Sequence, residues 1–159
     1  MRNGFASTKV GAAAFKVLPD SSFFNANTTI AESLKMIEDA IVLSGANDDN
    51  RKVFKIGINC DADQSYNKDP KDPNKYEQEG AKVQTDAAQM IEYYAKIIQE
   101  HPLISYVEDA FAQFDFEAHK SFREKLSNEF SNVDFSLKQL FSTGGLQRFK
   151  DVTNFSDIP

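Results

Sequence analysis

Two short apolar stretches end in side chains able to do chemistry. Val53-Phe54-Lys55-Ile56-Gly57-Ile58 runs into Asn59, and Leu103-Ile104-Ser105-Tyr106-Val107 runs into Glu108-Asp109. Both have the length and apolar content of buried strands. Side chains at the carboxyl ends of neighbouring parallel strands are where folds of alternating strands and helices place their reactive groups. Carboxylates there bind hard cations or move protons. Glu108 is therefore the candidate acid, and its neighbour across the strand ends, Asn59, is an amide.

The elements that must position these residues follow from local signals. Thr29 with Glu32 three residues later makes a capping box, and Ile30, Leu34, Ile37 and Ile41 recur at helical spacing up to Gly45, which predicts a helix over 29–44. Asn47 to Lys52 reads as a polar turn. Asp61 to Gly80, broken by Pro70 and Pro73, reads as a long ordered loop that covers the domain with solvated charge. Thr85 to Glu100 is the next helix, with Ala87, Met90, Ile91, Tyr94, Ile97 and Ile98 on its apolar stripe and His101-Pro102 ending it. Asp115 caps a third helix that runs to about Asn128, with Phe122, Leu126 and Phe130 facing inward. A weaker strand is expected over Val133 to Leu137, and a last helix over Leu146 to Val152 beyond the break at Gly144-Gly145. Strands alternating with helices imply an α/β fold with parallel pairing through right-handed crossovers.

Bulk properties narrow the function classes. The 159 residues, 41% hydrophobic and 26% charged, suit one ordinary globular domain. A net charge of -6 with scattered basic residues argues against nucleic acid and anionic membrane as partners. The lone Cys60 excludes an internal disulfide, reads as a small buried thiol at a strand end, and fits a reducing compartment. The stretch Val10 to Val17, interrupted by Lys16, is not a secretory leader, and no run approaches the ~18 apolar residues of a membrane span. The sequons at Asn27 and Asn154 then read as chance matches.

Asp69-Pro70-Lys71-Asp72-Pro73-Asn74-Lys75-Tyr76 resembles the Ser-Pro-Asp-Asp-Pro-Ser-Arg-Tyr segment of enolases, the phosphopyruvate hydratases. Ile56-Gly57-Ile58-Asn59 is similar to their strand Ile-Gly-Met-Asp. The stretch from His101 to Phe111 resembles Tyr-Pro-Val-Val-Ser-Ile-Glu-Asp-Pro-Phe with one inserted residue, and Gln113 to Phe122 tracks the segment that follows. Ala6 to Gly11 is similar to Ala-Thr-Asn-Val-Gly. The resemblance is densest between residues 56 and 122. It implies that residues 1–159 are a fragment of an enolase-like domain, about the first half of a TIM-type β/α barrel. The family's small N-terminal domain, later strands and catalytic lysine have no counterpart in it.

Enolases remove a proton next to a carboxylate and stabilise the resulting ene-diolate with bound Mg²⁺. The resemblance places the three metal carboxylates at Asn59, Glu108 and, through Leu137-Lys138-Gln139-Leu140 matched to Gly-Asp-Asp-Leu, Lys138. One ligand charge of three is left, so the metal site reads as degenerate, with no cofactor expected, or Mg²⁺ if the protein is active. If Lys138 lies about 4 Å from Glu108, their attraction at an intermediate dielectric is on the order of 4 kcal/mol before desolvation. A fixed ammonium then stands in place of the metal. The family's Val-Gly-Asp-Glu-Gly-Gly carries a further catalytic glutamate, whereas Val10-Gly11 is followed here by Ala12 and Ala13, which move no protons.

Other side chains that could do chemistry are better explained by packing. His101 before a proline and His119 on a helix have no second histidine or cysteine at ligand spacing. Phe54, Phe122 and Phe130 fall at core-facing spacing, whereas Phe111, Phe114 and Phe116 cluster just after a strand end, where exposed rings would mark a contact surface. The charge-rich loop from Asp61 to Lys82 contains no Gly-rich phosphate cradle, Ser-His-Asp set or Walker lysine.

The first functional expectation is an inactive enolase-like domain acting as a structural or interaction component. Its open sheet edges would be closed by partner chains of an assembly or by the rest of its own polypeptide. Its place would be the cytoplasm, or a cilium or cytoskeletal structure as the resemblance implies. The alternatives are a fragment of an active Mg²⁺-dependent hydratase that converts 2-phosphoglycerate to phosphoenolpyruvate, and a binding module that keeps a phosphate-type site without turnover.

Overall fold

The computed structural model describes residues 15–17, 19, 23–25, 29–46, 50–67, 75–77, 84–142 and 150, with backbone alone for 15–17 and 23–25. Phe15–Val17 (β1) and Phe23–Asn25 (β2) pair antiparallel, with Lys16 opposite Phe24. Thr29 then starts α1, Ile30–Leu43, through the anticipated box: its hydroxyl accepts from the Glu32 N–H at 3.2 Å, and the Glu32 carboxylate accepts from the Thr29 N–H at 3.0 Å. Leu34 is the buried member of its apolar stripe. These elements belong to a compact unit, Met1–Phe54, and the remainder, Lys55–Pro159, forms a second one.

The strand expected from Val53 begins later. Arg51–Val53 form a 3-10 turn and Ile56–Asn59 form β3. Val53 is 75% exposed and Phe54 38%, so neither is the core residue that the apolar run suggested. The turn spends these side chains on a connection rather than on the sheet.

In the second unit, β3 pairs parallel with Ile104–Glu108 (β6), and β6 pairs parallel with Asp134–Ser136 (β7), giving the order β3-β6-β7. The anticipated loop after β3 carries structure of its own. Ala62–Gln64 form a 3-10 turn, and Lys75–Glu77 (β4) pairs antiparallel with Gln84–Asp86 (β5). Thr85 and Asp86 therefore belong to a strand, and α2 runs over Ala87–Glu100. Asp86 caps it, accepting from the Gln89 N–H at 2.8 Å while the Gln89 side chain accepts from the Asp86 N–H at 3.2 Å. Phe116–Glu129 form α3, whose first turn is held by the Asp115 carboxylate accepting from the Ala118 N–H at 3.2 Å. Lys138–Ser142 form α4 directly after β7. The helix expected over Leu146 to Val152 lies, Lys150 apart, outside the described residues.

Strand alternation separates two faces of the sheet. Ile58, Val107 and Phe135 are in register, and Phe135 packs against Phe122 and His119 of α3, with ring centroids 5.7 and 6.1 Å apart. That face is the core. Phe111 is its hub: it is 1% exposed and makes edge contacts with Tyr76, Tyr94, Phe122 and His119. Phe111 is thus not among the exposed rings that would mark a contact surface. The chain turns it under the loop because a buried ring gains more than an exposed one. Of its two companions, Phe114 stays 62% exposed, and Phe116 packs against Leu137 and Leu140.

Candidate functional site

The opposite face of the sheet carries Gly57 and Asn59 of β3, Tyr106 and Glu108 of β6, and Ser136 of β7, each pair in register. Gly57 eases the packing there. A Cβ at this position would lie 3.2 Å from Cδ1 of Tyr106, so the missing side chain makes room for the tyrosine ring. Tyr106, two residues before Glu108 on the same strand face, can then reach along the strand to its carboxylate.

Glu108 is surrounded by donors. Asn59 Nδ2 donates to Oε1 at 2.8 Å, and the Tyr106 hydroxyl donates to Oε2 at 2.8 Å. With its single proton so committed, Tyr106 accepts at 2.6 Å from the Ser136 hydroxyl. Lys138 Nζ lies 3.6 Å from Oε1, with 57% of its side chain exposed against 18% for Glu108. The structure therefore brings Asn59, Glu108 and Lys138 together. At this exposure the ion pair belongs to the surface class, ~0–1 kcal/mol, well below the value for an enclosed pair.

The amide orientation of Asn59 is fixed by its other end. Asn59 Oδ1 accepts from the Asp61 N–H at 3.0 Å, so its oxygen is turned toward the backbone and its NH₂ toward Glu108. Asp61 adopts a left-handed backbone, φ 43°, and its carboxylate accepts from Gln139 Nε2 at 3.1 Å. Asp109 is also left-handed, φ 50°, and only 2% exposed. Its Oδ1 accepts from the Gln139 N–H at 2.9 Å, while Oδ2 is buried with no hydrogen-bond partner. Burial, ahead of the nearby Glu108 charge, pushes the Asp109 carboxyl up from its ordinary value.

A second set of contacts clamps the loops above the strand ends. The Cys60 and Ala62 N–H groups donate to the carbonyls of Glu108 and Asp109 at 2.9 and 3.1 Å. Asp63 accepts twice from Gln113, at 2.8 Å from its N–H and 2.6 Å from its side chain. The buried Tyr76 hydroxyl donates to Asp115 Oδ2 at 2.7 Å and accepts from the Ala112 N–H at 3.2 Å. Burial and then the Asp115 carboxylate push its pKa far above that of free tyrosine.

His119 has no metal-ligand geometry. One ring nitrogen, Nε2, lies 3.0 Å from the Ala112 carbonyl and donates to it, and Nδ1 is buried without a hydrogen-bond partner. Burial holds its pKa below the ordinary value, so the ring is a neutral core group. His101, buried at the end of α2, closes that helix with its N–H on the Ile97 carbonyl at 3.0 Å. Cys60 is half-buried beside Tyr94. Among the described residues no group of three or more His, Cys, Asp or Glu side chains is arranged to hold a metal ion, and no helix is long and apolar enough to cross a membrane.

Sequence reasoning missed Tyr106, Ser136, Asp61 and Gln139 at this site. Tyr106 had a usable signal, its two-residue spacing from Glu108. Asp61 also contacts Asn59 two residues away, whereas Ser136 and Gln139 depend on contacts between distant segments.

Residues 3–143 match the family model described as "Enolase, C-terminal TIM barrel domain". An enolase of Methanococcus aeolicus is 33% identical over 136 residues, covering 86% of this chain and 29% of the relative. An enolase of Aeropyrum pernix is 26% identical over 121 residues, covering 76% of this chain and 26% of the relative. The chain thus spans between a quarter and a third of the length of these relatives.

Proposed function

The chain belongs to the enolase family, its parallel sheet being part of that family's β/α barrel, and on this premise we propose that it acts without hydratase turnover. Its role is that of a structural or interaction segment. The observation that carries this reading is the commitment of both Glu108 oxygens to donors of the chain itself, Asn59, Tyr106 and Lys138. Mg²⁺ requires near-octahedral oxygen ligands with available lone pairs. Here Asn59 presents hydrogens, Lys138 presents positive charge, and Glu108 is the one anionic ligand of the three positions. The residues present do not fit the ion. Ala12 and Ala13, in the segment similar to the family's catalytic glutamate motif, lie outside the described residues and supply no acid or base by composition.

The interaction role is supported by two features of the second unit. Among the described residues β3 and β7 are the edges of the parallel sheet, and their unpaired backbone groups are satisfied by further strands, either from the rest of the polypeptide or from a partner chain. Phe114, 62% exposed beside the strand-end loops, offers an apolar contact. A cytoplasmic, ciliary or cytoskeletal assembly is the proposed setting.

The name enolase carried by the relatives also fits a second reading, a segment of an active hydratase. Conversion of 2-phosphoglycerate by the full-length polypeptide in Mg²⁺ discriminates between the two. Turnover indistinguishable from the enzyme-free rate is expected, and turnover at ordinary enolase rates refutes the proposal.

A further inference from the structure

We propose that Lys138 is a tethered counter-cation that balances the strand-end carboxylates in the electrostatic place of a divalent ion. This rests on the reading above and extends it from the absence of turnover to the charge balance of the rim.

Three acids crowd this rim. Glu108 and Asp109 are consecutive, and Asp61 is joined to the same place through Gln139, which donates its side chain to Asp61 at 3.1 Å and its N–H to Asp109 at 2.9 Å. Both aspartates occupy left-handed backbone, φ 43° and 50°, which Asp adopts more readily than most L-residues and which turns the chain sharply at each strand end. Asp109 is 2% exposed and Oδ2 is without a hydrogen-bond partner. Carboxylates gathered in this way repel one another unless a cation is near.

Among the described residues, the ammonium of Lys138 lies 3.6 Å from Glu108. It follows β7 by two residues, so the same strand whose Ser136 donates to Tyr106 also delivers the charge. The remaining groups around Glu108 are turned to suit a built-in charge and not a captured one. Asn59 faces Glu108 with its NH₂ because Asp61 holds the oxygen, and Tyr106 faces it with its proton. An ion arriving at Glu108 from solvent meets the Asn59 and Tyr106 hydrogens and an ammonium.

The test compares the full-length wild-type chain with Lys138→Gln and with Asn59→Asp combined with Lys138→Asp. Mn²⁺ uptake is read by electron paramagnetic resonance, and urea unfolding is followed with and without MgCl₂. In wild type, no bound Mn²⁺ and an unfolding midpoint unmoved by MgCl₂ are expected. Lys138→Gln lowers the midpoint slightly at low salt, as a surface ion pair allows, and MgCl₂ narrows the difference by screening the carboxylates left without their counter-ion. The double variant takes up one Mn²⁺ per chain. Lys138 is more than half exposed, so the single variant folds and decides the question should the double variant fail to fold. The proposal is overturned by wild-type Mn²⁺ binding that Glu108→Gln abolishes, by a Lys138→Gln midpoint that is unchanged or does not respond to MgCl₂, or by a folded double variant without Mn²⁺. Enzyme turnover is measured separately. An inactive wild type that binds Mn²⁺ at Glu108 sinks this inference alone, whereas turnover sinks the reading on which it rests.

Discussion

Replacing Tyr76 by phenylalanine removes one oxygen from the point where the loop hairpin, the end of β6 and the start of α3 meet. The ring is wholly buried, and its edge contact with Phe111 survives the change, so packing is preserved and the hydroxyl alone is tested. Two bonds are lost. The donation to Asp115, at 2.7 Å to a carboxylate, is of the charge-assisted kind, ~1.5–3 kcal/mol. The Ala112 N–H, on a residue 1% exposed, is left without its acceptor at a cost of ~1–3 kcal/mol. These costs overlap, because the wild-type hydroxyl also has to be dehydrated on folding, and a net loss of about 2–3 kcal/mol follows. That is roughly 30- to 150-fold in the folding equilibrium. Because the other Asp115 oxygen caps α3 through Ala118, the loss is concentrated in that helix's first turn. The assay is urea unfolding of Tyr76→Phe, Asp115→Asn and the double variant, with hydrogen exchange of the Ala118 and His119 amides as the local readout. A single-variant loss under about 0.5 kcal/mol, or additive effects in the cycle, refutes the claim that the hydroxyl couples these three elements.

Two pH-dependent outcomes follow from the buried titratable groups. His119 has a depressed pKa when folded, so below its ordinary ~6.5 the unfolded chain binds more protons and stability falls as pH drops from there through the folded value. His119→Gln is expected to flatten this slope between about pH 7 and 5 while losing some stability at all pH values, as measured by urea midpoints; an unchanged slope contradicts a buried neutral ring. Asp109 has the opposite sign for a folded penalty: its raised pKa means that the native state keeps a proton which the unfolded chain releases, so stability declines as pH rises from the ordinary carboxylate value through the folded one. Asp109→Asn, which tolerates the left-handed backbone and still accepts from Gln139, should therefore compare more favourably with wild type at about pH 7 than at about pH 3. Equal differences at both pH values would remove the buried charge from the account.

Local signals in the chain were enough for much of the scaffold. Thr29 with Glu32, and Asp115 before α3, cap their helices because a cap reaches only three residues along the chain. The stripe from Met90 to Ile98 buries as its 3.6-residue spacing requires, and the apolar runs ending at Asn59 and Glu108 do pair in parallel. The family pattern was also legible, because the residues that carry it lie close together in sequence. Where a run lacked such support, the reading failed: Val53 and Phe54 are apolar, yet they lie in and just after a 3-10 turn and stay exposed.

Sequence by itself determined which residue types stand at the strand ends and that one carboxylate, one amide and one ammonium are available there. Only the tertiary structure decided how they face each other. Asn59 turns its hydrogens to Glu108 because the Asp61 N–H claims its oxygen, and Tyr106 reaches the same carboxylate because Gly57 leaves space on the neighbouring strand. Two of these contacts span only two residues, but the site closes through partners 30 to 78 residues away, as in the Asp109–Gln139 and Asp61–Gln139 contacts, and no local propensity encodes a contact closed only when the sheet assembles.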